Sequence, residues 1–498
     1  MTSMFERAAV ITLPRLEPHR PPVSSAIVAR ICSDAGLTTK SFDLNIDLYH
    51  KSRSLFDSLD SILDGYRTAS TTEAHEIDLF LDAEIERIGS YEPDIILISV
   101  FSFTSHYFAK RLLEKLRHIA ACKIIGGQGV FVPELSRQEQ DRNTFGQTML
   151  DNGLIDHYIV GEAEETLSRF LGGQRDLPGL DNSNPVQVMR LDDAPWPDYS
   201  YFDLDRYAYL DSKREVFVTS SRGCVRKCTY CDVPYMWPKY RWRSGENVAN
   251  EMISHYEKHG ITKFYFTDSL VNGSMKSFSD MCSRLANYKF SPGLSWSGQA
   301  IIRPKNQVST EYFDMISAAG GKQFYIGVET GSDKIRWEMD KKFTNDDIQY
   351  HLENFSRTGI NMFFLMLTGY VTETIDDHLD TLAMFPRWQH YVADGTIKGI
   401  DLGPTLIVMA NTPLDHMRED LGIRFLNGDP KSWITDSNPG LTIKERVRRR
   451  IEIHEQAIRF NWPIWRGEQR LETIRDLIKG LGRDDGANYS TRINGAFD

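Results

Sequence analysis

Short apolar runs alternate with amphipathic stretches along most of this chain, and the alternation predicts strands followed by covering helices. In the first 175 residues Ala8–Leu13, Thr39–Asp43, Asp94–Val100, Lys123–Ile125 and Tyr158–Glu162 read as five strands. A helix is expected over Ser24–Ala35, another over Glu164–Leu171, and a polar helical insertion over residues 46–90. Runs as apolar as Asp-Ile-Ile-Leu-Ile-Ser-Val belong to strands buried on both faces, so this part reads as a doubly wound α/β domain whose ligand lies at the carboxyl ends of the strands. Residues 176–210, with Pro178, Pro185, Pro195 and Pro197, read as a linker. The alternation then resumes in Val216–Thr219, Lys263–Asp268, Gly293–Gly298, Gln323–Glu329, Asn361–Met366 and Gly399–Leu402. Six such units predict a partial (β/α)6 barrel over residues 211–415. Residues 416–498 read as mainly helical, with Thr442–Glu445 as a capping box and the basic run Arg446–Arg450 as a solvated helix face.

Composition narrows the setting. The 498 residues are 41% hydrophobic and 26% charged, enough for two to four soluble domains. The chain shows neither an apolar run long enough to span a bilayer nor a charged-then-apolar leader, so a cytoplasmic protein is expected. A net charge of −11 argues against a broad nucleic-acid surface.

Three of the six cysteines then change the picture. Cys224, Cys228 and Cys231 lie in Ser221-Arg222-Gly223-Cys224-Val225-Arg226-Lys227-Cys228-Thr229-Tyr230-Cys231, directly after the first barrel strand. A zinc site would want a second knuckle, and there is no other C-x2-C. A disulfide framework does not suit a long, cysteine-poor chain, and a catalytic thiol does not need two companions. Three thiolates can hold three irons of a 4Fe–4S cubane and leave the fourth open to a reactive ligand. This loop resembles that of the radical S-adenosylmethionine (radical SAM) superfamily, C-x3-C-x-aromatic-C, with Tyr230 at the aromatic position. The resemblance implies that Cys224, Cys228 and Cys231 ligate the cluster, that the open iron chelates SAM, and that one electron from the cluster releases a 5′-deoxyadenosyl radical. It also implies that Thr267, Asp268 and Ser269 meet the SAM amino group, that Glu329 and Ser332 of Gly-Val-Glu-Thr-Gly-Ser lie along SAM, and that Arg303 pairs with its carboxylate. Arg241 and Arg243 contact a cofactor or are surface arginines.

The N-terminal domain is similar to the Rossmann-like cobalamin-binding domain that precedes the barrel in one large subfamily. The resemblance rests on the Pro-rich first loop, Asp43-Leu44-Asn45, Ile125-Gly126-Gly127 and Asp156 to Glu164. It implies cobalamin cradled between domain and barrel, with Gly126, Gly127, Gln128 and Glu162 among its contacts. The D-x-H-x-x-G motif of cobalamin domains with a histidine lower ligand is missing, so cobalamin without such a ligand is expected, and His19 and His106 read as solvated loop histidines. A domain that no longer binds cobalamin fits the same residues.

Together these resemblances imply a cobalamin-dependent radical SAM methyltransferase acting on an unactivated carbon of a small-molecule or peptide substrate, reduced by a flavodoxin- or ferredoxin-type donor. A rearrangement or cyclisation without methyl transfer fits every motif equally, and a cofactor-sensing module without turnover remains open. A methylthiotransferase would need three more cluster cysteines in the N-terminal domain, where only Cys32 and Cys122 occur.

Overall fold

A computed structural model describes residues 5–465, apart from 64–67, 133–142 and the single positions 183, 212 and 404. The chain divides between Phe217 and Val218 into two compact units. In the first, β1 (Arg7–Thr12), β2 (Thr38–Asp43), β3 (Ile95–Ser99), β4 (Cys122–Gly126) and β5 (His157–Ile159) form a parallel sheet in the order β2-β1-β3-β4-β5. Alternate residues of β1 enter opposite cores: Ala9 and Ile11 join one apolar cluster, Ala8 and Val10 the other. Both faces are therefore covered, which is why β1 and β3 read as unbroken apolar runs, whereas the edge strand β2, Thr-Thr-Lys-Ser-Phe-Asp, does not. Helix Val23–Asp34 matches its expected span, and the insertion consists of helices Leu44–Lys51, Arg53–Leu63 and Thr71–Gly89. All five strands lie within a residue or three of their predicted bounds.

The proline-rich segment after β5 is bonded into this unit. Gly161 bridges Val186, and the Val160 and Glu162 amides donate to the Gly179 and Val186 carbonyls. Further on, Tyr207 donates to the carboxylate of Asp43 at 2.5 Å, while Arg206 binds Asp47 at 2.6 Å. Asp43 also caps the helix that follows β2, accepting from the amides of Asn45 and Ile46. Its side chain is buried, and burial, with the neighbouring Asp47, pushes the carboxyl up to about 6 against the pull of these hydrogen bonds.

In the second sheet, β6 (Glu215–Val218), β7 (Lys263–Phe266), β8 (Ser295–Ala300), β9 (Gly321–Glu329), β10 (Asn361–Met366) and β11 (Ile397–Asp401) follow one another in chain order. The ladders from β7 to β11 are all parallel. Phe324, Ile326 and Val328 of β9 point outward into the helical layer and are fully buried, whereas Tyr325 and Gly327 face the other way. The six units are those expected, and a short continuation is not. Ile464 pairs parallel with Ile400, with Ile400 donating to Pro463 and Trp465 to Ile400.

Beyond residue 416 come a small antiparallel pair, Ile423–Phe425 with Trp433–Thr435, and helix Ile443–Arg459, which Thr442 caps through the Glu445 amide. The rest of the expected helical region, 466–498, lies outside the described residues. The basic run corrects the sequence reading: Arg446, Arg449 and Arg450 are buried, and Arg448 alone of the four arginines is not. Arg446 lies 3.7 Å over the Trp433 ring and donates to the carbonyls of Lys431, Trp433 and Leu441, while Arg449 pairs with Glu373 at 2.8 Å. Irregular backbone in this region offers carbonyls with no ladder partner, and long arginines satisfy them.

Two outcomes are expected. Arg446→Met, which keeps a stem but removes the donors, lowers stability in chemical denaturation by at least about 2 kcal/mol. For Asp43, the folded carboxyl titrates above its unfolded value, so its favourable contribution is complete below pH ~4 and is lost as pH rises through about 6. The stability of Asp43→Asn relative to the parent should therefore rise by up to about 3 kcal/mol between pH ~4 and ~7.5, and a flat difference across that range would contradict the assignment.

Candidate functional site

The cysteine loop leaves the carboxyl end of β6 and is closed at its base by a two-residue antiparallel ladder, Ser221–Arg222 against Arg241–Trp242. Gly223 takes φ +85, a left-handed conformation that side chains disfavour, and a Cβ there would sit 3.0 Å from the Lys239 carbonyl. Asp268, just past β7, fixes the start of the loop: it accepts from the Ser220 amide at 2.9 Å, the Ser220 hydroxyl at 2.5 Å and the Ser221 hydroxyl at 2.6 Å. Burial raises its pKa, and these serine hydrogen bonds oppose the rise.

The middle of the loop is held from several directions. The Thr229 amide donates to Met339 at 3.2 Å, the Leu414 amide donates to the Thr229 carbonyl at 2.8 Å, and the Thr229 hydroxyl meets that of Tyr370 at 2.8 Å. Tyr230 donates to Glu329 Oε1 at 2.8 Å; Lys341 Nζ binds the same oxygen at 2.6 Å and lies 3.2 Å from the tyrosine hydroxyl. Burial and the adjacent carboxylate raise the Tyr230 phenol well above its usual range. The clamp thus joins the aromatic position of the cysteine motif to the end of β9.

Cys224, Cys228 and Cys231 are free thiols, each half-buried. Burial pushes all three up, Cys231 to about 11, while the Lys341 charge pulls Cys224 and Cys228 the other way. The Arg226 amide points at Cys224 Sγ at 3.4 Å, the kind of N–H···S contact that steadies a metal thiolate. Among the described residues no three His, Cys, Asp or Glu side chains converge on one metal-sized point. A cubane does not ask for that, because each thiolate binds a different iron. Three thiols on one loop, spaced by the chain and lacking a fourth, are a donor set that fits a 4Fe–4S cluster with an open iron.

The other expected site residues separate into two groups. Thr267 is exposed at the sheet's carboxyl end, its hydroxyl bonded to Thr219 at 2.6 Å, with Ser269 half-exposed nearby in sequence. Arg303 is half-buried: its Nη2 donates to the carbonyls of Asn272 and Gly273, and its buried Nε has no partner among the described residues. Desolvation, and after the phenol of Tyr312 the charge of Arg226, act on its guanidinium, whose pKa is lowered overall. Asp268 and Ser332, by contrast, are used by the protein itself. Ser332 is buried, caps helix Asp333–Glu338 and donates to Asp377 at 2.7 Å. Arg241 and Arg243 are buried too, not on the surface: Arg243 pairs with the buried Glu251 and with Asn247. Lys341 and Tyr370 escape the sequence reading, since Asp340-Lys341-Lys342 looks like any solvated charge run and Tyr370 lies 141 residues from its partner.

In the first unit, Gly126, Gly127 and Gln128 form the turn after β4. Gly127 has φ +113, and a Cβ there would lie 2.5 Å from the Val100 carbonyl, so glycine is dictated by backbone packed on backbone. Glu162 is buried and accepts from the Val188 amide at 2.7 Å. His106 is buried, contrary to the solvated loop position expected: it bonds the Gly129 carbonyl at 2.7 Å and stacks on Phe145 at 4.0 Å. His19 bonds the Ala208 carbonyl at 2.6 Å. Both imidazoles are thus engaged by the fold. Phe101 and Phe103, 59% and 40% exposed just after β3, carry no motif that the sequence reading could single out. β1 and β3 flank the point where the strand order reverses, the place where doubly wound sheets bind ligands, and exposed aromatic rings there suit a broad apolar face such as a corrin.

Residues 218–385 match the family model of the radical SAM superfamily. Among curated relatives, cytidylyl-2-hydroxyethylphosphonate methyltransferase of Streptomyces wedmorensis is 24% identical over 221 residues, 40% of each chain. Anaerobic magnesium-protoporphyrin IX monomethyl ester cyclase of Synechocystis sp. is 24% identical over 311 residues, 57% of each chain. The chain thus spans about half the length of these relatives. Among solved structures, the radical SAM methyltransferase TsrM from Kitasatospora setae, with cobalamin and a 4Fe–4S cluster bound, has a TM-score of 0.62 at 14% identity over 99% of this chain and 98% of its own. The cobalamin-dependent radical enzyme OxsB, with aqua-cobalamin and SAM bound, has the same TM-score and identity over 99% of this chain and 70% of its own. Such identities speak for fold. Residues 218–385 are a radical SAM domain, carried in the fold that TsrM and OxsB share.

Proposed function

We propose that this chain is a cobalamin-dependent radical SAM methyltransferase that methylates an unactivated carbon of a small-molecule or peptide substrate. The observation that carries the reading is the clamped loop with three free thiols at the carboxyl end of β6. When bound, the cluster would supply one electron, SAM the radical precursor and cobalamin the methyl carrier. The residues' own work is binding and alignment. Cys224, Cys228 and Cys231 would hold the irons, and Asp268 with Tyr230 fixes both ends of their loop. Arg303 and Arg226, two guanidinium groups within Coulomb reach of each other, would receive a carboxylate such as that of SAM. Thr267, Ser269 and Glu329 would line the same end of the sheet. In the first unit, the Gly126–Gln128 turn and the Phe101 loop would receive cobalamin. A flavodoxin- or ferredoxin-type protein would deliver the electron.

A second reading, cyclisation or rearrangement without methyl transfer, is favoured by the Synechocystis relative, a cyclase as similar in identity as the methyltransferase. A first unit that no longer holds cobalamin is the third.

Anaerobically reconstituted protein, desalted after incubation with hydroxocobalamin, is expected to carry about four irons and one cobalt per chain and to release 5′-deoxyadenosine on reduction with SAM. Replacing any one of Cys224, Cys228 and Cys231 with alanine should abolish both the iron signal and SAM cleavage, and four irons retained in such a variant would sink the ligand assignment. Iron without cobalt would move the reading to cobalamin-independent chemistry. With SAM deuterated in its methyl group, label in the product supports methyl transfer, and an unlabelled product supports the cyclase reading.

A further inference from the structure

We propose that the Glu329–Lys341 ion pair, joined to the cysteine loop through Tyr230, is the charge device that sets the reduction potential of the cluster held there; the inference rests on the radical SAM reading above. Both side chains are nearly buried, 10% and 11% exposed, and their atoms meet at 2.6 Å. Low exposure keeps solvent from screening either charge. The pair is also built at a cost to the backbone. Glu329 sits at φ +67, a left-handed conformation that strains a residue with a side chain. Two positions earlier Gly327 leaves the space empty in which any Cβ would collide with the Glu329 carboxylate and approach Lys341 Nζ to 2.7 Å. Neither charge is a distant neighbour of the thiols: both meet the hydroxyl of Tyr230, which stands two residues after Cys228 and directly before Cys231.

Reduction adds one negative charge to a cluster, so a cation beside the sulfurs favours the reduced state and an anion opposes it. Lys341 therefore raises the potential and Glu329 lowers it. Tyr230, bonded to both, keeps the two charges in fixed register with the loop that carries the cysteines. A purely structural ion pair would make a different prediction, since removing either partner would then loosen the loop and disturb the cluster in the same way.

The test is a potentiometric titration, followed by electron paramagnetic resonance, of the reconstituted full-length protein and its variants. Lys341→Met is expected to move the midpoint to more negative potential, and Glu329→Gln to more positive potential. Lys341→Arg, which keeps the charge, should restore the parent value, and the double variant should fall between the two singles. Shifts of the same sign in the two single variants, or no shift in either, would overturn the proposal. Tyr230→Phe keeps both charges, so its midpoint should stay close to that of the parent, while hydrogen exchange of the metal-free protein over residues 224–232 quickens; unchanged exchange would remove Tyr230 from the device. If Lys341→Met does not fold, Lys341→Arg and Glu329→Gln decide the sign question alone, because only a charge effect leaves the first unshifted and moves the second upward. Failure of the parent protein to bind iron would instead remove the radical SAM reading itself, whereas a loaded cluster with unmoved potentials removes only this inference.

Discussion

A loop that carries three thiols within eight residues has only a two-residue ladder at its base to hold it, and the second unit is arranged around that deficit. The loop's backbone and side chains are held by groups drawn from far along the chain: Asp268 at its start, Met339, Tyr370 and Leu414 around Thr229, and Glu329 with Lys341 on Tyr230. These partners come from the ends of different strands or the segments that follow them. A parallel barrel supplies them naturally, because its strands all finish at one face. Rigidity at the site is therefore a property of the sheet's closure order more than of the loop's sequence.

The same logic accounts for the use of charge. Asp268, Glu329, Arg446 and Arg449 are buried, yet each meets donors or acceptors that would otherwise be stranded in irregular backbone or beside another buried charge. Buried polar groups of this kind contribute specificity where apolar packing cannot, since hydroxyls, carbonyls and carboxylates pair only in a few geometries. They also explain why a residue type that marks a cofactor contact in a motif can end in a structural role. Ser332 and Asp268 satisfy their own protein, whereas Thr267 is exposed and Ser269 and Arg303 are half-buried.

The first unit shows how small residues serve packing and function at once. Gly127 and Gly129 bring the turn after β4 against the backbone at Val100 and Ser102, which carries the strand-end loop with Phe101 and Phe103. Close backbone approach places those rings at the reversal of strand order, while His106 and His19 are bonded to backbone carbonyls of the same unit.

Much of this is legible in the order of the amino acids. Unbroken apolar runs mark β1 and β3 because both faces of a parallel sheet must be dry, and C-x3-C-x2-C marks the donor set proposed for the cluster because it puts three thiols on one short loop. What the chain alone does not disclose is how distant residues pair. Lys341 looks like a solvated lysine until Glu329 and Tyr230 are brought beside it, and Arg446 looks like part of a wet helix face until Trp433 covers it. The Ile400–Ile464 pairing that extends the barrel sheet carries no periodic signal of its own. Local periodicity records which side of an element faces the core; whether a charged group there meets water or a partner depends on contacts between residues from 12 to 111 positions apart, and those exist only once the sheet and its loops have assembled.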